Sequence, residues 1–245
     1  MRNRYFFEIA YNGTSFHGWQ KQPKEISVQE EVEGALTKLN SNNPVVIYGC
    51  GRTDTGVHAN HFIFHVELKD SFNFQNLVFK LNRIISNNIV VYSFWKVDED
   101  HHARFNAVSR TYRYFINFQK NPFKTDTSWF LSKRPDFEAM NKAAQNLIGT
   151  KDFTSFSKVN TDVKTNICTI SEAKWIQVDE HNYYFEITAD RFLRNMVRST
   201  VGTLLEVGYG KMKPEEILDV LDAKDRGAAA VSVPAHGLFL WKVKY

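Results

Sequence analysis

The stretch that decides the fold is residues 49–59, GCGRTDTGVHA, which places one carboxylate, Asp54, in a glycine-flanked polar turn. Residues 45–48, VVIY, precede the turn and are typical of a buried strand. After the turn, apolar and other residues alternate over 61–68, which predicts a half-buried strand. Asp54 therefore lies at a predicted connection between two strands. An aspartate among glycines often caps its own turn, so the position alone leaves a structural and a chemical role open.

Outward from this turn, the pattern predicts an α+β fold of two domains, residues 1–105 and 106–245. Strands and helices do not strictly alternate, which favours antiparallel or mixed sheets flanked by helices. Ser27 and Glu30 form a capping box at the start of a helix. The other predicted strands are 4–11, 89–97, 110–118, 167–178, 183–189 and 238–245, and the other predicted helices are 77–85, 136–147 and 214–221.

A further helix, with basic residues along one side, is predicted over residues 192–207. Arg191, Arg194 and Arg198 recur at helical spacing beside apolar residues, which would align their guanidinium groups. Such a stripe suits the phosphates of a nucleic acid. It is equally typical of a solvated helix face.

Composition sets broad limits on the class of protein. The 245 residues are 43% hydrophobic, enough for a sizeable core, and the formal charge is +4 from 31 Lys and Arg against 27 Asp and Glu. This mildly basic balance permits nucleic-acid binding without requiring it. Cys50 and Cys168 lie far apart, which argues against a disulfide framework or a cysteine zinc site. With no apolar run near bilayer length and no signal-peptide pattern, the sequence predicts a cytoplasmic protein without membrane association.

Residues 51–59, GRTDTGVHA, resemble the signature of the tRNA pseudouridine synthase A family, with Thr55 where alanine is usual. The resemblance extends over the whole chain in the order that the family has. Its further blocks are 11–14 (YNGT), 16–20 (FHGWQ), 27–30 (SVQE), 102–105 (HARF), 109–114 (SRTYRY), 192–198 (FLRNMVR) and 234–240 (PAHGLFL).

The resemblance implies two α/β domains with an active-site cleft between them, a homodimer, and a tRNA substrate modified in the anticodon stem-loop at positions 38, 39 and 40. It makes Asp54 the catalytic residue. It makes Tyr112, the first Tyr of RTYRY, an active-site aromatic that stacks on uracil, and Arg198 the partner of the catalytic aspartate. Arg52 would fill the space that a flipped base leaves, or hold its phosphates. Periodicity alone would make Tyr112 a packed aromatic.

Substrate contacts are also expected from Arg110, Arg194 and His58 in these motifs. We expect no cofactor, because residues 49–56 match neither a Walker nor a Rossmann loop. We expect no metal either, although His58, His61 and His65 cluster in sequence, because no cysteine or nearby second acid completes a site.

Three alternatives stay open at the level of sequence. The chain could be a paralogue that modifies other RNA uridines, or a non-catalytic RNA-binding protein that keeps the arginines. A glycosidase or nucleotide hydrolase would need two carboxylates across the scissile bond, and the nearest acids to Asp54, Glu67 and Asp70, lie beyond the following strand.

Overall fold

A computed structural model describes residues 2–159 and 164–245 of the chain. These residues form two compact units, Met1–Val108 with Leu240–Tyr245, and Ser109–Phe239. The predicted domains, 1–105 and 106–245, stay a prediction. In the structure, residues 240–245 group with the first unit, where the last strand, Leu238–Lys244, has a hydrogen-bonded neighbour and buries Leu240 and Val243.

The first unit is an antiparallel sheet with two helices. Its helices begin where predicted, and Ser27 Oγ accepts a hydrogen bond of 3.2 Å from the Glu30 amide at the start of the first one. The sheet order is β4-β1-β3-β10, and β2 also pairs with β3. The elements are β1 (Arg2–Tyr11), α1 (Val28–Leu39), β2 (Ile47–Gly49), β3 (His58–Lys69), α2 (Leu77–Ile84), β4 (Ile89–Val97) and β10 (Leu238–Lys244).

The central strand β3 is buried on both faces, whereas its alternating sequence predicted burial on one. Residues 62–66 are each at most 2% exposed. On the side where solvent was expected, the His65 ring stacks on Tyr48 with centroids 5.1 Å apart and meets the edge of His102 at 4.4 Å. His65 Nδ1 accepts a hydrogen bond of 3.2 Å from the Ala103 amide. Aromatic rings therefore close the second face of the sheet.

The second unit combines an antiparallel sheet, β5-β9-β8-β7, with a short strand β6 that runs parallel to β5. The first helix of this unit begins after Asp136, whose carboxylate accepts from the amides of Glu138 and Ala139 at 2.9 and 3.0 Å. The elements are β5 (Ser109–Asn117), β6 (Trp129–Phe130), α3 (Phe137–Gln145), β7 (Gly149–Asp152), β8 (Ile167–Gln177), β9 (Asn182–Ala189), α4 (Met196–Gly208) and α5 (Ile217–Ala223).

The basic helix predicted over 192–207 begins later than expected, at Met196. Asn195 precedes it in the left-handed region, with φ of 67°, which interrupts the helical path. Arg191 and Arg194 therefore lie in the preceding loop, and the predicted arginine stripe is wrong. Within α4, every residue except Arg198 and Glu206 is buried. The helix thus serves as core, with one guanidinium group near its start.

The environment of His65 predicts acid sensitivity. Burial, with the neighbouring His102 and Arg4 charges, lowers the pKa of His65 from 6.5 to about 4. The unfolded chain then binds this proton at a higher pH than the folded one, so stability should fall as pH drops from about 6.5 to about 4. In His65→Asn, which retains an acceptor but cannot titrate, the free energy of unfolding measured in urea should vary less steeply with pH across this window. If the free energy of unfolding varies equally steeply with pH in the two proteins, His65 is not the source of the acid sensitivity.

Candidate active site

Asp54 lies on a loop of residues 51–57, here called the aspartate loop, which connects β2 to β3. The two strands pair antiparallel, with Gly49 opposite Phe64, and the Cys50 amide donates to the Ile63 carbonyl at 2.8 Å. The predicted strand-to-strand position of Asp54 is therefore confirmed. The residue is half-buried, and its carbonyl accepts a hydrogen bond of 3.1 Å from the Val57 amide, which closes the turn.

The aspartate loop rests on residues 12–19, here called the glycine segment, which follows β1. The Trp19 amide donates to the Thr53 carbonyl, and the Gly56 amide donates to the Phe16 carbonyl, both at 3.3 Å. A Cβ atom on Gly18 would lie 2.3 Å from the Thr53 carbonyl oxygen, and Gly18 has φ of +86°. A Cβ on Gly13 would lie 2.0 Å from the Val57 carbonyl oxygen. The two backbones touch at positions that glycine alone fits.

Two buried side-chain hydrogen bonds also hold the loop. Tyr11 Oη and Thr53 Oγ1 are 2.9 Å apart, and His58 Nδ1 accepts from the Gly13 amide at 3.0 Å. His58 is fully buried. The predicted substrate contact by His58 does not fit this burial, because the side chain presents no surface to a nucleotide. Its described hydrogen bond instead ties the start of β3 to the glycine segment.

Arg52 occupies the same loop two residues before Asp54. Its side chain is exposed, as is that of Thr55 on the other side of the aspartate. The loop thus combines an exposed cation and a half-buried carboxylate with a buried Thr53 between them.

In the second unit, Tyr112 and Arg110 lie on β5, opposite Ile187 and Ala189 of β9. The Tyr112 ring is half-buried and meets Phe192 edge-on, with centroids 5.0 Å apart. Arg110 Nη1 donates to the Asp190 carbonyl at 2.9 Å. The packed aromatic that periodicity predicts is therefore present, and the ring still retains accessible surface.

Arg198, in the first turn of α4, is hydrogen-bonded to the segment that precedes β10. Its Nε donates to the Val233 carbonyl at 2.7 Å, and this bond does not use the two Nη groups. Tyr114 Oη donates to the adjacent Pro234 carbonyl at 2.9 Å. Burial raises the pKa of Tyr114 despite the opposing charge of Arg198, so the phenol stays protonated as a donor. A Cβ on Gly237 would lie 2.8 Å from the Tyr114 ring.

The remaining predicted contact, Arg194, is exposed in the loop before α4, and its carbonyl accepts from the Lys158 amide at 2.9 Å. The predicted site residues thus fall into two sets. Asp54, Arg52 and His58 belong to the first unit, and the others, Arg110, Tyr112, Arg194 and Arg198, belong to the second.

The three histidines considered as metal ligands each accept a backbone hydrogen bond through Nδ1. The donor is Gly13 for His58, Val243 for His61 and Ala103 for His65. Burial, opposed by the nearby Glu8 carboxylate, lowers the pKa of His61. Among residues 2–159 and 164–245, the one group of three side chains close enough to share an ion is Asp98, Asp100 and His101, which includes none of these histidines. Within the same residues, no helix has the length and apolarity to cross a bilayer.

Sequence reasoning missed the residues that support the aspartate loop. Tyr11, Gly13 and Gly18 belong to blocks quoted above for the resemblance, but nothing in their spacing predicts that they contact residues 53–57. The glycines were the available signal, because glycine is the usual residue where one backbone closely approaches another.

Comparisons with known proteins give consistent family matches. A family model described as tRNA pseudouridine synthase matches residues 143–245. Across nearly the whole chain, proteins called tRNA pseudouridine synthase A are 49% identical in Parabacteroides distasonis, 46% in Bacteroides fragilis and 40% in Bacillus subtilis. These matches cover 99%, 99% and 97% of this chain and 96%, 96% and 97% of the relatives. A solved Cbf5-Nop10-Gar1 complex is 9% identical with a TM-score of 0.32, over 82% of this chain and 54% of that one, too low to bear on the fold.

The chain is thus a pseudouridine synthase that modifies tRNA. Within that class, it belongs to the tRNA pseudouridine synthase A family.

The close contact at Gly18 predicts a strong effect of a single methyl group. Gly18→Ala should lower the free energy of unfolding by about 1–3 kcal/mol, because alanine resists a positive φ and its Cβ would displace Thr53. It should also reduce turnover more than tRNA affinity, because Asp54 follows Thr53. Gly34→Ala on α1 is the matched control. A Cβ there meets nothing within 4 Å, so stability should rise by about 0.5–1 kcal/mol with turnover unchanged. If the two variants behave equally in urea unfolding and turnover assays, the close contact between Gly18 and Thr53 does not support the aspartate loop.

Proposed function

We propose that this enzyme converts uridine to pseudouridine at positions 38, 39 and 40 of the tRNA anticodon stem-loop, with Asp54 as the catalytic carboxylate. Its membership of the tRNA pseudouridine synthase A family makes it an isomerase that modifies tRNA. The choice of tRNA segment and the roles of individual residues rest on the motifs and on the geometry within each unit.

The observation that carries the proposal is the way Asp54 is presented. It is half-buried in a polar loop, while the residues on both sides are held by buried hydrogen bonds and close backbone contacts. A side chain that only caps a turn needs no such support. A reacting group does need it, because displacements of about 1 Å reduce rates by orders of magnitude.

The reaction breaks the bond between ribose C1′ and uracil N1, turns the base, and joins C1′ to C5, with no change in mass. The proton on C5 leaves and N1 gains one, so no redox partner is needed. One carboxylate suffices to start this sequence, either by attack on C1′ or by removal of a ribose proton. Both routes are compatible with Asp54.

The other predicted residues have distinct proposed roles. Tyr112 would stack on the uracil ring and handle a proton through its hydroxyl. Arg198 would pair with the Asp54 carboxylate through its Nη groups, which its bond to Val233 does not use. Arg52 would occupy the space of the flipped base or hold its phosphates, and Arg110 and Arg194 would contact tRNA.

A hydrolytic function is less well supported. Glu67 lies nine residues along β3 from His58, or roughly 30 Å at about 3.3 Å per residue. It forms an ion pair of 2.6 Å with Arg4, which lowers its pKa. Glycosidases place their two carboxylates about 5–9.5 Å apart. Neither Glu67 nor Asp70, which follows β3, is therefore placed to assist Asp54.

A homodimer and a cytoplasmic location are further proposals. The dimer follows from the family resemblance, and light scattering of the purified protein tests it. The location is supported by Cys50 and Cys168, which are both buried and not in a disulfide.

Asp54→Asn and Asp54→Ala test the central assignment. Both should lower conversion of uridine by about 10⁴-fold or more, as loss of a catalytic carboxylate does in other enzymes. Unmodified tRNA is incubated with enzyme, and pseudouridine is mapped by carbodiimide treatment and primer extension. This readout also separates the alternatives, since a paralogue would mark other positions, a hydrolase would release free base and a binding protein would do neither.

The controls for this experiment are tRNA affinity and thermal unfolding, which should stay near wild type because Asp54 is not core. The alanine variant guards against deamidation, which would turn asparagine back into aspartate. Pseudouridine formed at more than a trace rate by Asp54→Ala would show that Asp54 is not catalytic. Unfolding of both variants would indicate a structural turn residue instead.

Arg198→Ala and Arg194→Ala should differ although the residues are four apart. We propose that the guanidinium group of Arg198 pairs with the Asp54 carboxylate and orients it, so turnover of Arg198→Ala should fall about tenfold or more while tRNA affinity changes little. Arg194→Ala, in an exposed loop, should mainly weaken tRNA binding and reduce its salt dependence. Turnover at saturating tRNA, measured beside tRNA affinity, decides between them. Ordinary turnover in Arg198→Ala would remove this arginine from the mechanism.

A further inference from the structure

Tyr11 is the last residue of β1, and its side chain reaches from the sheet to the aspartate loop. Its backbone pairs with Ala59 of β3 on one side and with Ile89 of β4 on the other. Its ring is 4% exposed and packs against Phe62, with centroids 5.6 Å apart. The hydroxyl is therefore carried by a residue held in strand ladders on both sides.

The hydroxyl groups of Tyr11 and Thr53 are hydrogen-bonded at 2.9 Å, in a place where water is largely excluded. Thr53 is 8% exposed and belongs to no strand, so the sheet ladders do not fix its position. Its main chain is held from the other direction, since its carbonyl accepts from the Trp19 amide at 3.3 Å, above Gly18. Side chain and main chain of the residue before Asp54 are thus each held by one hydrogen bond.

The bond from Tyr11 differs from the contacts of the glycine segment in what it joins. The glycine contacts join one loop to another, and His58 in turn ties the glycine segment to the start of β3. The tyrosine hydroxyl joins the aspartate loop directly to a residue of the sheet, whose backbone pairs with the strands on both sides. It therefore links the residue before Asp54 to the sheet without an intervening loop.

We propose that Tyr11 is a positioning residue for the reaction, which sets the place of the Asp54 carboxylate through its hydrogen bond to Thr53. The inference rests on the proposed catalytic role of Asp54. The hydroxyl of Tyr11 itself touches no reacting atom. Its loss leaves the ring packed and the loop present, but no longer held in register with the sheet.

Tyr11→Phe, Thr53→Val and the double variant test this bond from both ends. Each single variant removes one hydroxyl and keeps the size of the side chain. The kcat for pseudouridine formation should fall about tenfold or more, while the KM for tRNA changes less than about twofold. The double variant should be no slower than the slower single variant, because both substitutions remove the same bond. Thr53→Ser, which keeps the hydroxyl, should retain most of the kcat.

Tyr245→Phe is the matched control, since it also deletes one tyrosine hydroxyl, which donates to the Ala103 carbonyl at 2.7 Å in the same unit. Its kcat should match wild type. If Tyr11→Phe and Tyr245→Phe lose thermal stability and kcat in the same proportion, the Tyr11 bond is merely structural and the inference is overturned. If Tyr11→Phe fails to fold, the comparison of Thr53→Val with Thr53→Ser gives the same test.

Failure of the inference is distinguishable from failure of the proposed function. An unchanged kcat in Tyr11→Phe and Thr53→Val beside an inactive Asp54→Ala overturns the positioning role and leaves Asp54 catalytic. An active Asp54→Ala overturns the proposed function, and with it the reason for any positioning.

Discussion

The arrangement of the first unit depends on one close approach between two backbones, where residues 12–19 lie against residues 53–57 without room for a single methyl group at Gly13 or Gly18. A side chain at either glycine would separate the loops and remove the amide-to-carbonyl bonds at Thr53 and Phe16. With the loops in contact, the backbone on both sides of Asp54 is held by hydrogen bonds to the glycine segment. Glycine is needed at the two contact positions because any side chain there would meet the aspartate loop.

In the second unit, hydrogen bonds and a close glycine contact likewise hold the chain next to Arg198. A short segment, residues 233–237, is held by a guanidinium Nε, a tyrosine hydroxyl and a glycine pressed on the tyrosine ring. Every residue of the helix that carries Arg198 is buried except Arg198 itself and Glu206, which restrains the arginine backbone more firmly than an exposed helix would. In both units, buried hydrogen bonds and close contacts at glycine hold the segments next to residues that are proposed to react or to bind.

Much of this could be predicted from sequence, because strands and helices follow local periodicity. The turn around Asp54 and the capping by Ser27 are local features, and both are present. Some errors arose where residues distant in sequence decide the outcome, as where the rings of Tyr48 and His102 cover His65 on the second face of β3. Another was local, because Asn195 adopts a positive φ that periodicity does not reveal and that shortens the predicted basic helix. His58 was predicted to bind substrate from its motif, but its partner Gly13 lies 45 residues away. The roles proposed for the site residues came from the family resemblance, because the spacing of residues alone does not predict them.

The return of β10 to the first unit has a consequence for synthesis of the chain. A ribosome completes residues 1–108 long before it reaches residues 240–245, so the first sheet waits for its last strand until the entire second unit has emerged. During that interval, the edge of β3 that meets Trp241 and Val243 stays open to pairing with other chains. Premature release within the second unit would yield a nascent protein with that edge exposed, a natural substrate for chaperones or degradation.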